Sequence, residues 1–265
     1  MLTDVGRIRK TNEDKVLYVA PEVGASEEKI GFLALVADGM GGHAAGEVAS
    51  EMAAELIRNL VYSSRERPPQ ALSNAFHMAN RAIFEQSQND PELRGMGTTC
   101  TAILIRDETL YLAHIGDSRA YLWRNDDFRQ LSDDQTLHAK LVRDGLMTAE
   151  EALTAPGGNF ILQALGARES IEPTISEHGL KLESGDRLLL CSDGLYSFVK
   201  DAEIAKLIAA EAPAEACQHL VDAANGAGGA DNISVGIFQI LNTPPPERRE
   251  QASTKPILVS EADRV

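Results

Sequence analysis

Four aspartates in this 265-residue chain sit where an apolar run meets a turn: Asp38 in "LVADG", Asp117 in "AHIGDS", Asp193 in "LLCSDG" and Asp231 in "GGADNIS". Asp, Asn and Gly are ordinary turn residues after strands, so any one instance says little. Four beside strongly apolar runs suggest carboxylates converging at one end of a sheet. Two unit charges about 4 Å apart repel by about 4 kcal/mol at an effective dielectric near 20. A cluster of this kind therefore requires protons or cations. With no HExxH among the six histidines and no CxxC among the three cysteines, the donors are oxygens, which suits Mg²⁺ or Mn²⁺ rather than zinc.

Two other chemistries compete with this one. Gly39, Gly41 and Ala44 fit G-x-G-x-x-G/A, the turn that cradles a dinucleotide pyrophosphate. That reading needs a second strand about 20 residues on with an acid at its end. Here a helical pattern runs to "LVYSSRERPPQ", and Asp38 would stand where the pyrophosphate lies. Cys100 and Arg106 match C-x5-R, a cysteine-phosphatase spacing, but "TAILI" between them has no glycine and reads as a strand. A phosphate loop needs backbone amides free to surround the anion, and a strand cannot offer them.

The elements that must position the aspartates are legible as short β-like runs: 32–37, 98–105, 109–115, 187–192 and 233–240. The short "RDE" (106–108) link implies an antiparallel hairpin. Between 47 and 61, Val48, Met52, Leu56 and Leu60 recur every four residues, with Ala49, Ala53 and Ile57 alongside. Leu72, Phe76, Ala79 and Ile83 mark a second helix over 70–86, separated from the first at Pro68 and Pro69. Further helices are predicted over 201–210 and 213–224. Hairpin-linked strands with paired helices imply helix-covered sheets rather than strict βαβ alternation. Residues 131–171, helical in pieces and broken by "PGGN" (156–159), read as an excursion from the core. The proline-rich residues 242–265 read as a disordered tail.

Composition is that of an ordinary globular protein, 43% hydrophobic and 25% charged. No apolar stretch approaches a membrane span, the first residues lack a signal-peptide core, and the cysteines form no disulfide framework, so a cytoplasmic protein without membrane association is expected. The net charge of −15 falls on residues 1–241, because the tail's four acids and four bases cancel. A field of that sign argues against nucleic acid as a partner.

Six ordered motifs, "DVGRIRKTNED" (4–14), "ADGMGGHAAGEVAS" (37–50), "GMGTTCTA" (95–102), "HIGDSRAYL" (114–122), "LLCSDGL" (189–195) and "GGADNISV" (228–235), resemble those of metal-dependent protein Ser/Thr phosphatases of type 2C (the PPM family) in the compact bacterial form. The resemblance spans roughly residues 3–240. It implies an α+β fold, a four-layer αββα sandwich of two antiparallel sheets flanked by helix pairs, with a catalytic domain over 1–241. It implies two Mn²⁺ or Mg²⁺ ions, and a weaker third, in a channel between the sheets. Asp38 corresponds to the bridging ligand, Gly39 to a backbone-carbonyl ligand, and Asp193 and Asp231 to carboxylates completing one shell. Glu13 corresponds to an acid acting through water, Asp117 with Asp193 to the third site, and Arg9 to the phosphate-binding arginine. Asp14, Thr98 and Thr99 are read as structural.

The implied reaction is hydrolysis of phosphoserine or phosphothreonine in proteins by a metal-activated water, without a phosphoenzyme. Implied partners are phosphoproteins, a cognate Ser/Thr kinase and its targets among them, met by a monomer. Many eukaryotic relatives carry a proposed acid, histidine, where this chain has Met40; His43 is nearby, and a metal-coordinated water is the alternative proton source. The competing reading is an inactive relative that only binds a partner, although no metal-ligand acid is missing.

Overall fold

The computed structural model describes residues 1–21, 30–41, 44–157 and 160–241. Two antiparallel sheets face each other. One has the order β1 (Leu2–Asp4), β12 (Ile233–Gln239), β11 (Arg187–Cys191), β7 (Arg119–Arg124), β8 (Asp127–Gln130). The other runs β10 (Leu180–Lys181), β6 (Thr109–Ile115), β5 (Cys100–Arg106), β3 (Phe32–Met40), β2 (Asp14–Val19), with β4 (Gly97–Thr98) on β3 and β9 (Thr174–Ile175) on β6. The β5–β6 hairpin turns at Asp107 and Glu108, both with positive φ (50° and 59°), the twist that suits a two-residue link between antiparallel strands.

Three apolar layers hold the stack together. Val36, Ile103, Leu112, Leu122, Leu188 and Leu190 fill the space between the sheets. The helices α1 (Ala44–Ser63) and α2 (Pro68–Asn89) cover the outer face of the β3-containing sheet through Ile57, Leu72, Phe76 and Ile83. The helices α6 (Asp201–Ala210) and α7 (Pro213–Gly226) cover the other through Ile204, Ile208, Leu220 and Val221. This is the four-layer αββα arrangement the motifs imply.

Local differences have physical causes. In α1 the fully buried line is Ala49, Ala53 and Ile57, while Val48, Met52, Leu56 and Leu60 are only partly covered. Small side chains let the helix lie close on β3, and the larger ones flank the contact. Pro68 and Pro69 do not stand between the helices; they are the first residues of α2, where a missing N–H costs nothing. The expected strand 98–105 is split at Thr99 into β4 and β5. Within the excursion, α3 (Leu137–Arg143) and α4 (Ala149–Thr154) form, α4 closed by a capping box between Thr148 and Glu151. The tail, 242–265, lies outside the described residues, as do His43 and residues 158–159. Among the described residues no helix is long and apolar enough to cross a membrane.

Candidate metal centre

Strand ends from both sheets open into one cavity of about 230 Å³. All seven expected site residues line it: Arg9, Glu13, Asp38, Gly39, Asp117, Asp193 and Asp231. Asp38 is near the end of β3 and its peptide is held on both sides. Its N–H donates to Thr99 Oγ1 (3.0 Å), and its carbonyl accepts from Thr98 Oγ1 (2.9 Å) and the Thr99 N–H (2.9 Å). The two threonines are structural, as expected, but what they fix is the central carboxylate. One residue on, the Gly39 N–H donates to the Glu13 carbonyl at 3.1 Å. A Cβ at Gly39 would collide with the Gly46 carbonyl, and one at Gly46 would press on the Glu13 carboxyl at 2.9 Å. The glycines of this stretch thus serve close approach between β3, α1 and the Glu13 loop.

Asp117 lies on the short link by which the chain passes from β6 in one sheet to β7 in the other. Asp193 opens the one-turn helix α5 (Asp193–Tyr196) directly after β11, and Asp231 precedes β12. A Cβ at Gly194 would collide with the Asn232 carbonyl, so these last two strand ends touch backbone to backbone. Asp231 divides its carboxylate between Arg9 Nη2 (2.7 Å) and the Asn232 N–H (2.8 Å).

Electrostatics mark the cluster as short of positive charge. Burial, then the neighbouring Asp14, Asp193, Asp117 and Asp231, hold the Asp38 carboxyl well above the usual range. Burial raises Asp117 to about 7, with Asp193 and Asp134 adding and Arg119 opposing. Asp193 is raised to about 6 by burial and Asp231, against the lowering effect of a hydrogen bond with Asp38 and of Arg9. Two carboxylates in hydrogen-bonding contact must share a proton or a cation. Among the described residues no three His, Cys, Asp or Glu side chains close into a finished ligand shell. The acids ring a cavity instead, which fits Mg²⁺ or Mn²⁺, ions that complete their shells with carbonyls and water. The described lining residues include no His or Cys, so the donor set suits these hard cations and not zinc.

Two residues exceed what the motifs announced. Asn232 accepts from the Glu13 N–H (2.8 Å) and donates to the Val5 and Thr11 carbonyls (both 3.0 Å), pinning the Arg9–Glu13 loop to the start of β12. Its position next to Asp231 was the available signal, but the partners lie some 220 residues away in sequence. Asp14, read as structural, faces Asp38 across the β2–β3 pair; it accepts from Ser192 Oγ (2.7 Å), while its other oxygen is buried with no partner among the described residues. Burial raises Asp14 to about 7. Met40 also lines the cavity, and a thioether has no proton to give.

Sequence and structure comparisons agree with this geometry. The family model for protein phosphatase 2C matches residues 11–223. The serine/threonine protein phosphatase PstP of Mycobacterium tuberculosis is 38% identical over 260 residues, covering 97% of this chain and 46% of that protein, so the chain spans about half the length of that relative. The protein phosphatase PhpP of Streptococcus pneumoniae is 37% identical over 245 residues, covering 91% of this chain and 96% of that one. The crystal structure of the PstP catalytic domain in complex with two manganese ions superposes with a TM-score of 0.78 at 37% identity, covering 91% of this chain and 96% of that one. With the motifs, the sandwich and the carboxylate cavity all in agreement, the chain belongs to the protein phosphatase 2C family.

Proposed function

We propose that this protein is a metal-dependent hydrolase of phosphoserine and phosphothreonine in other proteins, with residues 1–241 as its catalytic domain. The observation that carries the reading is the gathering of Asp38, Asp193, Asp231, Asp117 and Glu13 from both sheets around one cavity with a guanidinium at its edge. Asp38, Asp193, Asp231 and the Gly39 carbonyl would hold a pair of Mn²⁺ or Mg²⁺ ions, with Glu13 acting through water and Asp117 serving a weaker third site. Such ions, when bound, activate water as a nucleophile and neutralise phosphate charge.

The chain's own residues do the rest. Arg9, half-exposed and bonded to Asp231, presents a planar fork suited to two phosphate oxygens. A cavity of about 230 Å³ admits a phosphorylated side chain rather than a folded surface. Among the described lining residues there is no Ser, Thr, Cys or His to carry a phosphoryl group, and the aspartates are assigned to the cations in this reading, which together favour direct attack by water. Cys100 is fully buried, and burial pushes its thiol far up, so it takes no part. Met40 cannot protonate the departing alkoxide. Substrates would be phosphoproteins, an opposing Ser/Thr kinase and its targets among them, met by a single cytoplasmic chain; the charge of −15 disfavours nucleic acid.

The deciding experiment is hydrolysis of an aryl phosphate and of a phosphothreonine peptide with Mn²⁺, against the same protein in EDTA. Turnover only with the metal supports the reading. Turnover that survives EDTA, or none in either condition, overturns it.

A further inference from the structure

Arg119 belongs to the "HIGDSRAYL" motif, yet it does not line the cavity. Its guanidinium joins three elements at once. Nε and Nη2 form a fork on Asp134 (2.9 and 2.6 Å), Nη1 donates to the Tyr121 hydroxyl (2.9 Å), and the cation lies 3.5 Å from the centre of the Tyr196 ring. Tyr196 ends α5, the turn that Asp193 begins, and its hydroxyl donates to the Asp117 carbonyl at 3.0 Å. The path from Asp134 through one guanidinium and one ring therefore ends on the backbone of one candidate ligand and on the helix of another.

Asp134 lies in residues 131–136, where the chain leaves the sheet for the excursion. That segment is fastened along the link carrying Asp117. The Gln135 N–H donates to the Gly116 carbonyl (2.8 Å) while the Gly116 N–H donates to Gln135 Oε1 (3.0 Å). His114 Nε2 bonds the Asp133 carbonyl (3.0 Å), and the Ala120 N–H donates to Ser132 Oγ (3.1 Å). The same segment reaches the cavity wall, since Thr136 bridges to Ile161, which lines the cavity. Among these ties the Arg119–Asp134 pair is the charged one, with the two side chains only 20% and 15% exposed.

Packing alone does not require an ion pair there. A partly buried pair of this kind pays for desolvation and is often no more stable than apolar residues of the same shape. What a rigid fork supplies is orientation. A second fork in the same strand provides a comparison: Arg124 holds Asp186 through Nε and Nη2 (2.7 and 2.6 Å), and its other partners, Glu183 and the Lys181 carbonyl, lead to no cavity-lining residue among those described.

We propose that Arg119 and Tyr196 are positioning residues that transmit the placement of residues 131–136 to Asp117 and Asp193. The inference rests on the metal-dependent reading above and concerns residues that touch neither substrate nor cation. It makes the excursion part of the site's geometry, not an appendage to it.

Tyr196→Phe removes only the hydroxyl, and Arg119→Lys keeps the charge but loses the fork and the stacked plane; Arg124→Lys breaks the comparison fork. Mn²⁺ affinity, measured by calorimetry on the full chain, reads the inference independently of turnover. Wild-type turnover with Mn²⁺ tests the metal-dependent reading separately. Partners behind a metal ligand typically matter by 10–100-fold, so Tyr196→Phe and Arg119→Lys are each expected to weaken the loosest Mn²⁺ site by about tenfold. They should also lower kcat on an aryl phosphate, with KM within about twofold of wild type. Arg124→Lys should leave Mn²⁺ affinity unchanged even where it lowers the melting temperature. Wild-type Mn²⁺ affinity and kcat in both site variants, or an equal loss in Arg124→Lys, overturns the inference.

Discussion

Asp14 and Asp38 stand directly opposite each other in the β2–β3 pair, two carboxylates on neighbouring strands whose pKa values are both raised. Like charges at facing positions destabilise a sheet, so this end of the sandwich is held in tension unless a cation or proton intervenes. Asp38→Asn is expected to cut metal-dependent turnover by on the order of a hundredfold or more, the scale of losing one charge-stabilising group. It should also raise the melting temperature of the protein in EDTA at pH 8. Substantial turnover would contradict the catalytic role given to Asp38, and a lower melting temperature in EDTA would contradict its part in the repulsion.

The same repulsion sets a pH dependence. Asp14 and Asp117 are raised to about 7 and Asp193 to about 6, against about 4 for a carboxylate in the unfolded chain. A group raised in the folded state contributes stability that is full below its unfolded value and lost as pH rises through its folded value. His114, lowered by burial, acts in the opposite sense only below about 6.5, where the unfolded chain begins to bind a proton. Between pH 6.5 and 8 the protein in EDTA should therefore lose stability, and saturating Mg²⁺ should flatten that slope. Calorimetric melting at the two pH values, with and without Mg²⁺, checks this; a slope indifferent to Mg²⁺ would count against a metal centre here.

Much of this site was legible in the chain, and the reason is local. Asp38, Asp117, Asp193 and Asp231 each end or begin an apolar run, and strands of a sandwich bring such ends together, so residue type and place sufficed. Arg9 and Glu13 depended on the family resemblance, because a loop has no period to read. Asn232 and Asp14 escaped because their importance lies in partners distant in sequence. The α1 stripe was read one residue off its centre, because hydrophobicity favours Leu and Met while close packing on β3 favours Ala.

The phosphate role proposed for Arg9 is one that a point charge would not reproduce. Arg9→Lys should raise KM for a phosphopeptide by about tenfold with a smaller effect on kcat, as expected for a lost two-pronged contact. Its side chain is 48% exposed, so unfolding free energy should change by less than about 1 kcal/mol. Steady-state kinetics and urea melts on one preparation separate the two effects. An unaltered KM would remove Arg9 from the site.

Asn232→Ala would strip three bonds from the loop that carries Glu13. At about 1 kcal/mol each, with buried groups left unpaired, the expected loss is about 3 kcal/mol, read from the urea midpoint. A loss below about 1 kcal/mol would show that this loop is held by other means.

Cys100→Ser should leave turnover per folded molecule at the wild-type level, since Cys100 is fully buried in β5 opposite Ile115. Inactivation of a folded serine variant, seen by comparing kcat with circular dichroism, would restore the cysteine chemistry rejected from the sequence.

The donors around the cavity are drawn from both halves of the sandwich: Asp38 from one sheet, Asp193 and Asp231 from the other, and Asp117 from the crossing between them. Ions held among them would work as rivets through a seam. Parting the two sheets at this end scatters the ligands, and withdrawing the ions frees the sheets to part. Loss of catalytic power and loosening of the seam should then be one event, so that a cell short of divalent metal would not accumulate intact, idle copies of this protein but copies already opening at the edge where they once worked.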